Sequence, residues 1–264
     1  MTKIITDAEL VAQYAKKAME EPERVIKTQA PSETEVILPG GYLLANGNIV
    51  KTAEVRELNG EDEEAISKSG STAKSLNILL QRGLVKLGDK DATKEDLDAL
   101  LAGDRDAILI GIRKVTFGKT LALSIRCQSC SQDQVSEVDL DEDVPVKTLD
   151  NPIADRVWEV ETKKGTVKLS LPNGVTQKKL MDNIDKTSAE LNTMLLAGCI
   201  LSVNNAPSIG AQTALSLGMS ERTDIVEDIL SRNPGPRLGE VKKVCKACGE
   251  DIPLPLGLLD LFRL

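Results

Sequence analysis

The chain of 264 residues contains no histidine. That absence removes the Ser-His-Asp triad, the Cys-His dyad and the histidine proton shuttle from its chemistry. Carboxylates and lysines remain, so catalysis is not excluded, but a non-enzymatic role is the expectation. Aromatic residues are almost as scarce: Trp158, Tyr14, Tyr42, Phe117 and Phe262 are the whole set. Surfaces that stack nucleobases need several. Positive charge is in deficit, with 33 Lys and Arg against 41 Asp and Glu, a net charge of −8. Phosphate-binding proteins show a basic patch or stripe, and anionic membranes recruit basic segments. Neither nucleic acid nor a membrane is therefore an expected partner. No apolar run is long enough to span a bilayer. The opening Met-Thr-Lys-Ile-Ile-Thr-Asp-Ala-Glu lacks the apolar core of a signal peptide. A reducing cytoplasm is the expected setting, where paired cysteines more often bind metal or do redox work than form structural disulfides.

What the chain does have is two Cys-x-x-Cys pairs, Cys127/Cys130 and Cys245/Cys248. Without histidine, a closed tetrahedral zinc site must be built from thiolates and carboxylates, and two such pairs supply four sulfurs. Each pair is flanked by strand-like segments, 121–126 and 135–140 for the first, 241–244 and 252–256 for the second. This is the setting of a zinc-ribbon knuckle. The expectation is one structural zinc held by Cys127, Cys130, Cys245 and Cys248, with iron as the alternative metal. A thioredoxin-like pair would open a helix, and neither pair precedes a convincing one. Disulfides would suit an exported chain, and free thiols are the remaining reading. Cys199, unpaired among apolar neighbours, reads as a core thiol.

Patterning predicts an α+β fold of mixed helices and short strands in two homologous halves, an internal duplication joined by the zinc-ribbon-like four-cysteine site. Residues 1–35 read as an N-terminal arm, with an amphipathic helix from Asp7 to Glu21 that presents Leu10, Val11, Tyr14, Ala15 and Ala18 on one face. Residues 36–140 form the first half. It is expected to open with a strand entering a Pro39-Gly40 turn, then a hairpin at Asn46-Gly47, then helices from Asn59, Ser75, Thr93 and Asp104. Residues 141–157 read as an acidic linker. Residues 158–264 form the second half, which ends in the apolar run Pro255-Leu-Gly-Leu-Leu-Asp-Leu-Phe-Arg-Leu. That run is expected either to pack home or to fill a partner's groove, and arm and tail are the expected docking segments.

In aligning the halves, Val167-Lys-Leu-Ser-Leu-Pro-Asn-Gly is set against Val36-Ile-Leu-Pro-Gly-Gly, and Lys179-Leu-Met-Asp-Asn-Ile against Arg56-Glu-Leu-Asn-Gly-Glu. This pairing makes the first half the longer, with the surplus in the hairpin of residues 43–55. Arg105 and Arg222 recur at matching positions and are expected to form structural ion pairs beside the helix caps Asp104 and Ser220, or to meet a neighbouring subunit.

Two tempting motifs fail. Phe117-Gly-Lys-Thr resembles the end of a phosphate-binding loop, but the first glycine would fall at Arg113, and the segment lies between a helix and a strand in the wrong order. The run Glu61-Asp-Glu-Glu reads as a solvated first helical turn that complements the positive helix end.

The strings Val36-Ile-Leu-Pro-Gly-Gly, Glu54-Val-Arg-Glu-Leu-Asn-Gly-Glu-Asp-Glu-Glu and Leu101-Ala-Gly-Asp-Arg-Asp, with the two knuckles, resemble the baseplate hub assembly proteins of T-even-type contractile-tail bacteriophages. The resemblance covers most of residues 36–250. It implies a non-enzymatic role in building the baseplate centre, as a chaperone or a retained component, with other tail and baseplate proteins as partners. The host cytoplasm during assembly, and then the virion tail, would be its location. It supplies no catalytic residues. Two other readings stand beside it: a cellular zinc-ribbon adaptor, which a basic face would favour, and a thiol oxidoreductase, which one low-pKa cysteine per pair would favour.

Overall fold

Alternation of apolar and polar residues from Ile49 to Val55 makes a half-buried strand, and Asn46-Gly47 supplies the tight turn before it. In the computed structural model, which describes residues 34–254 and 256–262, Gly47 sits at φ +84° and its N–H bonds the Leu44 carbonyl at 2.9 Å. This turn joins β1 (Glu35–Leu43) to β2 (Ile49–Val55). Two helices follow, α1 (Gly60–Ser67) and α2 (Thr72–Gly83), then a hairpin of β3 (Leu84–Leu87) and β4 (Lys90–Asp91). Helices α3 (Lys94–Ala99) and α4 (Ala102–Phe117) lead to the hairpin β5 (Thr120–Arg126) and β6 (Asp133–Asp139). The helical arm expected over Asp7 to Glu21 lies outside the described residues.

After the short strand β7 (Val146–Lys147) come β8 (Val157–Thr162) and β9 (Gly165–Ser170), then α5 (Gly174–Met181) and α6 (Ser188–Cys199). Strands β10 (Ile200–Val203) and β11 (Ala206–Pro207), helices α7 (Ala211–Ser216) and α8 (Met219–Arg232), and strand β12 (Gly235–Pro236) continue the chain. The hairpin β13 (Lys242–Val244) and β14 (Asp251–Pro253) precedes α9 (Leu258–Phe262). The α+β class is thus as expected. Strands β1 to β4 form one antiparallel sheet in chain order, and β8 to β11 form another in the same order.

Among the described residues, apolar side chains gather into three clusters. Leu38, Val55, Leu79, Ile108 and Ile112 centre the first, beneath the first sheet. Val167, Leu169, Leu196, Ala214 and Ile229 centre another, beneath the second sheet. Leu121, Val138, Val144, Val241, Ile252 and Leu261 make a third, the middle core, which joins the middle of the chain (110–144) to its later part (238–261). The C-terminal run packs home over residues 258–262: Leu261 is 1% exposed, and Leu258, Leu259 and Phe262 rest on the first core.

Several local expectations are corrected. Pro39-Gly40 is no turn. β1 runs through it, with a break in register between Ile37 and Tyr42, because other elements hold its backbone. The Gly40 N–H donates to Asp104 Oδ1 at 2.7 Å, the Pro39 carbonyl accepts from Leu149, and Arg156 donates to the Gly40 and Gly41 carbonyls. Asp104 is therefore not a helix cap: α4 begins at Ala102, and Leu101 stands at its cap position. The alignment that set Val167 against Val36 also fails, since Val167 lies in the second strand of its sheet and Val36 in the first. The acidic stretch of residues 141–157 is more than a leash. Val144 is buried in the middle core, and β7 pairs with β12.

Candidate metal centre

Both cysteine pairs lie at hairpin tips. The β5–β6 ladder closes at Arg126 opposite Asp133, and the β13–β14 ladder at Val244 opposite Asp251. Residues 127–132 and 245–250 are left to form the tips, and they fold alike. The Cys127 N–H bonds the Gln132 carbonyl at 3.0 Å, and the Ser131 N–H bonds the Cys127 carbonyl at 2.9 Å. In the other tip the Cys245 N–H bonds Glu250 at 2.8 Å, and the Gly249 N–H bonds Cys245 at 2.9 Å. The residue after each second cysteine takes the left-handed conformation, Ser131 at φ 60° and Gly249 at φ 76°. Glycine does so freely, and serine only under the constraint of the tip.

The two tips face each other. Cys127 Sγ lies 3.7 Å from Cys248 Sγ, and Cys130 Sγ lies 3.7 Å from Cys245 Sγ. All four sulfurs lie within 4.8 Å of one another. A disulfide would hold two sulfurs about 2.05 Å apart, so these are separate thiols. A tetrahedron with metal–sulfur bonds of about 2.3 Å has edges of roughly 3.8 Å, close to the distances found. The donor set, its spacing and the paired tips all fit one tetrahedral metal ion.

The backbone prepares the sulfurs for negative charge. N–H groups of Cys130 and Ser129 point at Cys127 Sγ and pull that thiol down. Those of Cys248 and Ala247 hold Cys245 down to about 6. Four thiolates at this spacing repel, so the charge divides unequally. The Glu250 N–H favours a thiolate at Cys248, but its contacts with Cys130 and Cys245 outweigh that and push it up to about 12. Cys127 and Cys245 are buried against the middle core, while Cys130 and Cys248 are exposed. Lys246 clips the tips together. Its N–H donates to Gln134 Oε1 at 2.9 Å and its Nζ to the Val135 carbonyl at 3.1 Å.

Neither pair opens a helix, the position a dithiol redox site needs to depress its attacking thiol. Cys199 is fully buried, and desolvation pushes its thiol up to about 12, as a core residue requires. Phe117-Gly118-Lys119-Thr120 joins the end of α4 to β5, the opposite order to a phosphate loop.

The two arginines came out differently from expectation. Arg105, 1% exposed, forms no ion pair with Asp104. It donates from Nε to Gln177 Oε1 at 2.7 Å, from Nη1 to the Leu97 carbonyl at 2.6 Å and from Nη2 to Asn77 Oδ1 at 2.8 Å. Arg222 donates to the Ala214 carbonyl at 3.2 Å and to Thr193 Oγ1 at 2.7 Å. The acidic run is not wholly solvated either. Asp62, 1% exposed, takes a two-pronged bond from Arg56 at 2.8 and 2.9 Å and a third from Arg82 at 2.9 Å. Arg56 and the Asn59 N–H thus hold the Asp62 carboxyl far below its ordinary range. No sequence pattern announces which acid of such a run turns inward. The nearest signal is the capping box, Asn59 followed by Asp62.

Fold and centre together define the class: a mixed α+β protein whose four converging thiols could hold a metal ion. The chain matches the family model of the T4 bacteriophage base plate protein over residues 51–263, and it belongs to that family. No curated protein and no solved structure matches it. The T-even baseplate resemblance is borne out at the family level. A role tied to the phage baseplate follows, with other tail proteins around it, in a family of structural proteins. Among the described residues, no helix is long and apolar enough to cross a membrane.

Proposed function

We propose that the protein is a non-enzymatic factor in building the baseplate hub that acts by protein–protein contact, and that Cys127, Cys130, Cys245 and Cys248 hold one structural zinc. The convergence of four sulfurs from distant parts of a base plate family chain carries this reading. A closed four-sulfur shell leaves no position for substrate, which suits a structural metal. Such sites bind zinc with about 10–16 kcal/mol at neutral pH, comparable with the whole stability of a typical domain, about 5–15 kcal/mol. The host cytoplasm, and the tail if the chain is retained, would be its setting.

Residues 36–140 and 158–264 are read as duplicated halves, in a register different from the one the motifs first suggested. Asn59-Gly60 starts α1, and Asn173-Gly174 starts α5. Helices α2 and α6 both run without a loop into a strand. Arg105 and Arg222 each reach a carbonyl eight residues back. Each also bonds a side chain, Asn77 or Thr193, that itself donates to the carbonyl four residues before it. With matching cysteine tips, these parallels favour a zinc clamp between two copies of one plan. In an experimental structure the halves should superpose with Arg105 over Arg222; unrelated backbones would overturn the duplication.

Protein purified without added metal should contain about one zinc per chain, as one four-thiolate site requires. A metal-free, fully folded chain would sink the site. Phage lacking the gene should accumulate incomplete baseplates, and normal tails in its absence would overturn the assembly role. Mass spectrometry of purified virions then separates an assembly factor from a retained component.

A further inference from the structure

The contact between the halves has a donor side and an acceptor side, and each half carries a spare. On the acceptor side, at the start of α4, the Leu100 carbonyl takes the Gly174 N–H at 2.8 Å, and the Ala102 N–H bonds the Pro172 carbonyl at 2.9 Å. Leu101 and Asn173 form an antiparallel bridge. Gln177 on α5 accepts from Arg105 Nε and donates to Asp106 Oδ1 at 2.6 Å. Gly174 must be glycine, because a Cβ there would overlap the Leu97 carbonyl. Arg105, Leu100 and Ala102 are all buried by this contact and their own half.

The same parts recur unpaired. In the second half the acceptor positions are Leu217, Gly218, Met219 and Arg222. Met219 is 87% exposed, whereas its counterpart Ala102 is 7% exposed. Leu217, Met219 and Arg222, with Ala189, Glu190, Thr193 and Leu215, line an open, largely apolar groove of about 370 Å³. In the first half the donor positions are Leu58, Asn59, Gly60 and Glu63, which line an open groove of about 450 Å³ beside Phe117. Gly60 has open space where a side chain would go and no left-handed φ, so nothing among the described residues requires glycine there. Among the described residues, the Gly60 and Met219 N–H groups, each first in its helix, have no hydrogen-bond acceptor.

We propose that the first-half end of α1 in one copy docks on the α6–α8 groove of a second copy of this chain, repeating between chains the contact already made within one. The proposal rests on the duplication, and the side chains at the spare ends fit it. Where Gln177 offers one acceptor and one donor, it meets a donor in Arg105 and an acceptor in Asp106. Where the donor side carries the carboxylate Glu63, the groove carries the Arg222 guanidinium, and the Glu190 carboxylate beside it is already engaged by Thr187 and Lys186. Such a contact is head-to-tail. Repetition closes a ring where the rotation per step returns on itself, and otherwise builds an open stack.

The test uses the full zinc-loaded chain in sedimentation velocity at concentrations up to roughly 100 μM, far above the Kd of a specific contact in the μM range. Wild type should associate. Glu63→Arg and Met219→Asp, both on exposed side chains, should each weaken association at least tenfold, on the order of a central contact residue. Their melting temperatures should stay within about 2 °C of wild type, as surface changes do. Mixing the two variants should restore a dimer and nothing larger, since each supplies the one sound surface that the other lacks. A monomeric wild type overturns the proposal, as does association unchanged by both variants or a mixture that stays monomeric. If the halves superpose while the chain stays monomeric, the duplication stands and only the self-docking falls.

Discussion

Replacing Arg105 with methionine isolates the cost of one buried guanidinium. The methionine keeps most of the apolar stem, so packing is largely conserved and the loss is polar. Three acceptors lose their donor: the Leu97 carbonyl, Asn77 Oδ1 and Gln177 Oε1. An unsatisfied buried group costs about 1–3 kcal/mol. The Gln177 amide nitrogen keeps its donor bonds to Ala102 and Asp106, but Oε1 is left without a donor, so all three groups carry the penalty. Asp106, already pushed up to about 6 by desolvation, also loses the Arg105 charge that favours its ionised form. Against this stands the recovered desolvation of the arginine itself, which burial pulls below its usual value. The net expectation is about 3–5 kcal/mol, in the range for breaking a buried charged network. Arg222→Met is the internal control. Its partners are part-exposed and water can replace the lost donor, so about 1 kcal/mol is expected. Urea unfolding with saturating zinc measures both. Equal losses in the two variants, or a loss under about 1 kcal/mol in Arg105→Met, would refute the reasoning, because the argument turns on burial.

Gly103→Ala should be severely destabilising, by roughly 3 kcal/mol or more, since a Cβ would overlap the rigid Pro234 carbonyl at a backbone crossing; thermal denaturation decides it. Asp104, fully buried, has its carboxyl raised to about 6 by desolvation. A raised carboxyl binds more protons folded than unfolded, so its contribution falls as pH rises from about 4 to 6. Relative to Asp104→Asn, wild type should therefore gain about 2 kcal/mol between pH 7 and pH 4, and a difference that is flat with pH would contradict the burial. Asp62 has the opposite sign. Its depressed carboxyl contributes stability at neutral pH that is lost in acid, and Asp62→Asn should blunt the acid limb of the unfolding curve. Cys245→Ser and Cys127→Ser should lower the melting temperature steeply and by similar amounts, because each removes one corner of a shared tetrahedron. An unchanged melting temperature in either would make the centre incidental.

Much of the local structure was legible because it rests on short-range chemistry. Asn46-Gly47 and the helix starts at Asn59 and Thr93, each with a capping box, all act within a few residues. The cysteine tips were legible for the same reason, since Cys-x-x-Cys between strands prescribes its own turn. What could not be read was set by distant partners. Pro39-Gly40-Gly41 has the composition of a turn but is held within β1, as an irregularity in its register, by Asp104, Leu149 and Arg156. Asp104 has the composition of a cap but, from within α4, accepts from Gly40 in β1. If the proposed duplication holds, Leu-Pro is a misleading guide to its register, while Asn-Gly at a helix start is too common a pair to stand out.

The middle core has a consequence for how the molecule is made. Its walls come from β5, β6 and Val144 on one side and from Val241, Ile252 and Leu261 on the other. The first core likewise borrows Leu258, Leu259 and Phe262. During synthesis the first sheet and its helices emerge early but remain without their last wall until the ribosome has passed Leu261. The early tip must also wait, with two thiols exposed, for residues 245–250. Loop closure over so long a span is slow, and exposed apolar surface invites aggregation meanwhile. Completion is thus a final clasping event, and a message cut short by even its last helix would yield a chain with neither the middle core closed nor the first one covered.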